Sequence, residues 1–152
     1  MASKIHIYSL IFSLLFILLT SEKIKGQTQN NSNNYVVIGH DIGVQKLTSK
    51  NLKGIFNGEK TFWGNKNKII LTVPSSKNPI CSSISKNIYN MSVMGMQKYW
   101  LSLTFQGNIT PPVFLENDDE TIKFIENNPG AIGFISETNS NKTKALKIVI
   151  EN

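Results

Sequence analysis

Hydrophobic and polar positions alternate along this chain in blocks that name their own elements. "YVVIGH", residues 35–40, is a short β-branched run and predicts a first strand. "LTSKNLKGIFNG" follows, with Leu52, Ile55 and Phe56 spaced i, i+3, i+4. Thr48 or Ser49 stands at the N-cap and Gly58 at the stop, so this segment predicts a short amphipathic helix. "KIILTV", 68–73, is almost continuously apolar, the mark of a strand buried on both faces and covered by helices. "NPICSSISKNIYN" places Pro79 at a first helical position behind an Asn78 cap, with Ile80, Cys81, Ile84 and Ile88 facing inward.

The longest helical pattern is "MSVMGMQKYWLSLTFQG". Ser92 caps it, Gly107 closes it, and Val93, Met96, Tyr99, Trp100, Leu103 and Phe105 form one broad apolar face. This Met and aromatic stripe is core material. "NITPPVFLEN" reads as a loop because of Pro111 and Pro112. "DDETIKFIENN" is a helix from about Asp118, and its carboxylates Asp118, Asp119 and Glu120 sit against the positive end of the helix dipole. A Pro-Gly turn then leads to a strand from Ala131, "ETNSNKTK" is a turn, and "ALKIVIEN" is a last strand. The order β-α-β-α-α-α-β-β predicts an α/β fold with helices on the faces of a sheet.

The start of the chain breaks this pattern. Lys4 is followed by an apolar run from Ile5 to Leu19, interrupted only by His6, Tyr8, Ser9 and Ser13. That layout fits a secretory signal peptide, cleaved after Ser21 or after Gly26; the alternative is an uncleaved N-terminal anchor. The run is shorter than the roughly 20 residues of a spanning helix. The expected organisation is a signal peptide over residues 1–26, a flexible polar leader over 27–34, and one domain over 35–152, in a periplasmic or secreted protein that keeps no membrane contact once the signal is removed.

Charge narrows the function classes. The chain carries +6, and since residues 1–26 hold three lysines and one glutamate, the remainder carries +4. All the cations are lysines; there is no arginine. Bidentate recognition of phosphate or carboxylate is an arginine geometry, whereas lysine offers a point charge. The lysines are spread out and not interleaved with aromatics, so nucleic acid is not an expected partner. Cys81 is the one cysteine and reads as a buried structural thiol. His40 is the one histidine past the signal, which leaves too little for a His-based triad or a zinc site. Glycine-rich phosphate loops, a G-x-S-x-G elbow and H-E-x-x-H do not occur, so no catalytic residue, metal or cofactor is assigned.

Two segments resemble one family. "LTSKNLKGIFNGEKTFWGN" fits L-x-x-(I/V)-F-x-G-x-x-x-x-W through Leu52, Ile55, Phe56, Gly58 and Trp63. "NNPGAIGFIS" fits a P-G-A-I-G-(Y/F) segment through Pro129, Gly130, Ala131, Ile132, Gly133 and Phe134. Both resemble the phosphate-type periplasmic solute-binding proteins, and "MSVMGMQKYWLSLTFQGNITPP" is similar to the short, stand-alone members. The resemblance spans about residues 35–137. It implies a single lobe of the type II periplasmic-binding-protein-like fold, a mixed sheet flanked by helices. It also implies a missing wall, because transporter-linked members hold their ligand between two lobes.

The resemblance points to one loop as a site. Phosphate binders carry a segment similar to R-x-(D/E)-G-S-G-T after the second strand, and the matching segment here is "VPSSKNPIC". The arginine and the glycines are gone. Ser75, Ser76, Lys77 and Asn78 remain as polar contacts near a helix start; the plainer account of the four is a turn plus an N-cap. The expected function is that of an exported solute-binding-like protein resembling the substrate-binding component of phosphate ABC transporters, taking phosphate or another small anion weakly. A protein partner or a second copy would complete the cleft. The competing expectation is an accessory protein-interaction or sensor module with no small ligand.

Overall fold

The computed structural model describes residues 34–107 and 109–151. The expected signal peptide and all but the last residue of the expected leader lie outside the described residues. Among the described residues no helix is long and apolar enough to cross a membrane.

The sheet has six strands: β1 (Tyr35–Gly39), β2 (Lys46–Thr48), β3 (Ile70–Pro74), β4 (Val113–Leu115), β5 (Ala131–Ser136) and β6 (Leu146–Glu151). Their spatial order is β2-β6-β1-β5-β3-β4. β2 runs parallel to β6, and β5, β3 and β4 run parallel to one another, while β1 is antiparallel to both of its neighbours. Among the described residues four α-helices flank the sheet: α1 (Ser49–Phe56), α2 (Cys81–Asn87), α3 (Val93–Phe105) and α4 (Asp118–Asn127). Glu137–Lys142, expected as a turn, forms a 3-10 helix. The protein is a mixed α/β fold, a single lobe of the type II periplasmic-binding-protein-like kind.

Both faces of the central strands are buried, as their continuous apolar runs require. Along β5, Ile132 and Phe134 enter the larger core with α1, α2 and α3, while Ala131 and Ile135 enter a smaller core with Ile122 and Ile125 of α4. β1 divides in the same way, Val37 to one side and Ile38 to the other. The period of two in a strand makes this split automatic.

The helix ends follow from side-chain chemistry. Thr48 accepts from the Asn51 N–H, Ser92 from Gly95 and Asn117 from Glu120, each satisfying one unpaired first-turn donor. Gly58 and Gly107 follow α1 and α3 with φ of 80° and 72°, a left-handed region open to glycine. α2 departs from expectation: it starts at Cys81 with Ile80 at the N-cap position and no side-chain cap, Pro79 lies in the turn before it, and Asn78 Oδ1 accepts from the Ile80 N–H at 3.1 Å within that turn.

Three further expectations need correction. β2 and β4 are missing from the expected order; "NITPPVFLEN" contains a strand immediately past Pro112. Phe105 does not belong to the buried face of α3, because it is 83% exposed at the helix end. Asp118 is more than a dipole partner: its side chain is buried, and Oδ2 accepts from the Ser136 N–H at 2.9 Å and from Asn139 Nδ2 at 2.7 Å, tying α4 to the end of β5.

Candidate functional site

The loop leaving β3 carries all four expected site residues, and the sheet decides where it lies. β3 is flanked by two parallel strands, β5 and β4. Its carboxyl end therefore opens at the edge where open α/β sheets take their ligands.

Most donors of this loop point inward. The Ser75 N–H continues the β3–β4 ladder to the Leu115 carbonyl at 2.8 Å. The Lys77 N–H donates to Ser75 Oγ at 3.3 Å, and the Asn78 N–H to the Ser75 carbonyl at 3.0 Å. Ile80 and Cys81 donate to the Asn78 side chain and carbonyl. These N–H groups close a turn. Ser76 and Lys77 are exposed, Ser75 is half-buried and Asn78 is 3% exposed. The Asn78 Nδ2 is buried without a protein acceptor.

The one cation of the loop is paired. Lys77 Nζ lies 2.6 Å from the Glu116 carboxylate, just past β4, and both side chains are exposed. The hydrogen bond to Glu116, reinforced by its charge, holds the Lys77 ammonium above its ordinary value. An anion approaching Lys77 therefore meets a carboxylate as well, and Glu120 lies close enough to add to that field.

Beside the loop lies a feature of another character. A groove of about 310 Å³ runs between α3 and β4, lined by Ser75, Trp100, Leu101, Pro111, Pro112 and Phe114 among others. Its lining carries no formal charge. Leu101 and Phe114 are its signal in the sequence, but the first falls inside a helix that reads as core and the second inside a segment that reads as loop.

The remaining candidates are structural. Cys81 is buried and its Sγ donates to the Pro74 carbonyl at 3.2 Å; burial pushes its thiol up, away from the reactive thiolate. His40 donates from Nδ1 to the Ile125 carbonyl at 3.1 Å, so it closes the α4 end. Among the described residues no group of three or more His, Cys, Asp and Glu side chains could hold a metal ion.

No protein-family model matches the chain, and no curated protein matches it in sequence. Solved structures do match in shape. The chain is similar to an ABC-type phosphate transport receptor from Vibrio cholerae, with a TM-score of 0.60 at 17% identity over 78% of this chain and 47% of that one. PstS from Borrelia burgdorferi matches with a TM-score of 0.60 at 19% identity, over the same shares. A putative phosphate ABC transporter substrate-binding protein from Clostridium perfringens, solved with bound phosphate, matches with a TM-score of 0.54 at 17% identity, over 77% of this chain and 44% of that one. This chain spans less than half the length of each of these proteins, and what it shares with them is the fold.

Proposed function

We propose that this protein is an exported binding protein, not an enzyme, and that it holds phosphate or another small oxyanion weakly at Ser75, Ser76, Lys77 and Asn78. In this reading residues 1–26 are the export signal, 27–34 a leader and 35–152 the binding domain. The observation that supports it is the position of the loop, at the carboxyl end of β3 between two parallel strands, in a fold shared with phosphate receptors. The weakness follows from the same geometry. Five N–H groups around the turn are already engaged, Lys77 is paired with Glu116, and no arginine is present to grip an oxyanion with two bonds. A dissociation constant of about 1 mM, equivalent to roughly 4 kcal/mol, is the expected scale.

Calorimetric titration of the exported form with phosphate, sulfate and nitrate tests the reading. Heat that saturates in the millimolar range supports it; flat titrations for every anion remove the anion site. Mass spectrometry of the exported form reads the cleavage point, and an N-terminus at neither Glu22 nor Gln27 removes the proposed signal boundary.

One observation favours a second reading, a protein-interaction or sensor module without a small ligand. The uncharged, apolar groove next to Ser75 suits a protein surface and offers an anion nothing.

A further inference from the structure

His40 stands at the opposite edge of the sheet from the 75–78 loop. It follows β1, which runs antiparallel to β5, so it lies at the amino end of β5. Two backbone bonds fix it there: its N–H donates to the Ala131 carbonyl at 3.0 Å, and its carbonyl accepts from the Gly130 N–H at 2.7 Å. The Ile125 carbonyl that meets Nδ1 can only accept, so the proton of the neutral ring is on Nδ1 and the lone pair is on Nε2. Closing the end of α4 thus uses one ring nitrogen and leaves the other. A cavity of about 330 Å³ adjoins the ring, lined by His40, Glu126, Asn127, Lys144 and Ala145.

Glu126 runs against the electrostatics of its helix. It lies in the last turn of α4, where the dipole favours a cation, and that turn holds no basic residue. The carboxylate is nevertheless oriented. Oε1 accepts from the Lys144 N–H at 2.6 Å and from Thr143 Oγ1 at 2.9 Å. Both bonds fall on that one oxygen, so Oε2 can turn to a ligand. Asp41, next to His40 in the chain, is engaged elsewhere, its carboxylate accepting from Asn65 and Asn67.

We propose that this cavity binds a divalent transition cation, with His40 Nε2 and Glu126 as its two protein ligands and water in the remaining positions. An imidazole with a carboxylate suits zinc, copper or nickel. A metal-bound histidine ordinarily donates its second ring nitrogen to a carbonyl or carboxylate, and a ligating carboxylate is itself hydrogen-bonded. Both supports are built into this chain, through Ile125 for the ring and through Thr143 and Lys144 for the carboxylate. Two protein ligands are fewer than a resident zinc takes, so the ion is held weakly and exchanges. The Lys144 ammonium is the one charge on the lining that opposes a cation, and its exposed side chain can extend into water. The site lies away from the 75–78 loop and does not depend on the anion reading.

The test is a zinc titration of the protein in its exported form, in phosphate-free buffer at neutral pH. The readout is the pair of ring-nitrogen NMR signals of His40, the one histidine past residue 26. The expected result is saturation below about 1 mM zinc, with Nε2 shifting and Nδ1 keeping its proton. By calorimetry, Glu126→Gln weakens zinc binding by about tenfold or more, and His40→Gln abolishes it. Glu59→Gln, which removes an exposed carboxylate elsewhere, leaves it unchanged. Circular dichroism matching wild type shows that each variant is folded. No shift of Nε2 overturns the proposal. So does metal on Nδ1, and so does an affinity that Glu126→Gln leaves intact, the mark of a lone surface histidine.

Discussion

The indole N–H of Trp63 donates to the carbonyl of Gly130 at 2.8 Å, joining positions 67 residues apart in the chain. Both residues belong to the segments that carry the family resemblance, and Leu52, Ile55, Phe56, Ile132 and Phe134 of those segments share one core with Trp63. The rings of Phe56 and Phe134 stand 4.4 Å apart. Leu52, Ile55, Ala131 and Ile132 are buried. Gly58 and Gly130 take φ of 80° and 85°. None of these residues belongs to the 75–78 loop. The resemblance is thus carried by packing positions, and the fold is what this chain shares with solved structures at 17–19% identity.

That contact gives the first prediction. Trp63→Phe keeps an aromatic ring but removes one of the two hydrogen bonds to the Gly130 carbonyl, which still accepts from the Ile70 N–H at 3.1 Å. The loss of one hydrogen bond from an acceptor that keeps another costs about 0.5–1.5 kcal/mol, and urea unfolding of the variant is expected to lose stability in that range. A loss below about 0.5 kcal/mol would mean that water replaces the indole.

Gly133 is a position where a methyl group has nowhere to go. A Cβ there would overlap Thr72 Oγ1 and lie 3.1 Å from Ile125 Cδ1. Gly133→Ala is therefore expected to destabilise by about 3 kcal/mol or more, at the upper end for overpacking. Thr72→Ala removes the nearer obstacle, so the double variant should recover part of that loss. Additive losses in a double-mutant cycle would refute the clash as the cause.

Much of this fold is legible in the sequence, and the gaps have physical reasons. Helix α1 is readable because Leu52, Ile55 and Phe56 repeat with helical spacing between a Thr48 cap and a Gly58 stop. The strands β1, β3 and β5 are readable because both of their faces are buried. β2 and β4 are not, since three residues hold too little alternation to see, and each is fixed by parallel pairing with a partner far along the chain. Phe105 is easily misplaced because α3 is apolar on two sides, and hydrophobicity alone cannot say which stripe meets the sheet. Helical register does separate them, since Phe105 falls in line with Leu101 and not with Met96 and Trp100. The four residues of the candidate site are legible as types, but the inward aim of their N–H groups belongs to backbone geometry.

The Glu126 carboxylate predicts a pH dependence. It accepts from the Lys144 N–H at 2.6 Å and from Thr143 Oγ1 at 2.9 Å, and these bonds, the Lys144 amide first, hold its carboxyl below the ordinary value of 4.5. A carboxylate whose folded value is depressed contributes stability above its unfolded value and loses it as pH falls through the folded one. Glu126→Gln should therefore be less stable than wild type at neutral pH, with the difference shrinking below about pH 4.5 and vanishing at lower pH. Thermal unfolding of both proteins across that window measures it. A constant difference from neutral to strongly acidic pH would exclude ionisation as the source.

The Lys77–Glu116 pair decides whether the loop can hold an anion. Glu116→Gln removes one carboxylate, frees the ammonium and leaves the turn bonds of Ser75 and Asn78 in place. Because both side chains are exposed, stability should barely change. Phosphate affinity should instead rise by about 3- to 10-fold, since one unit of repulsion close to the site is gone, and the gain should fade as salt is raised. Lys77→Met should lower phosphate affinity below wild type. Equal phosphate binding in all three proteins would show that any anion taken by this chain is held elsewhere, and the 75–78 loop would then be a turn and a helix start and nothing more.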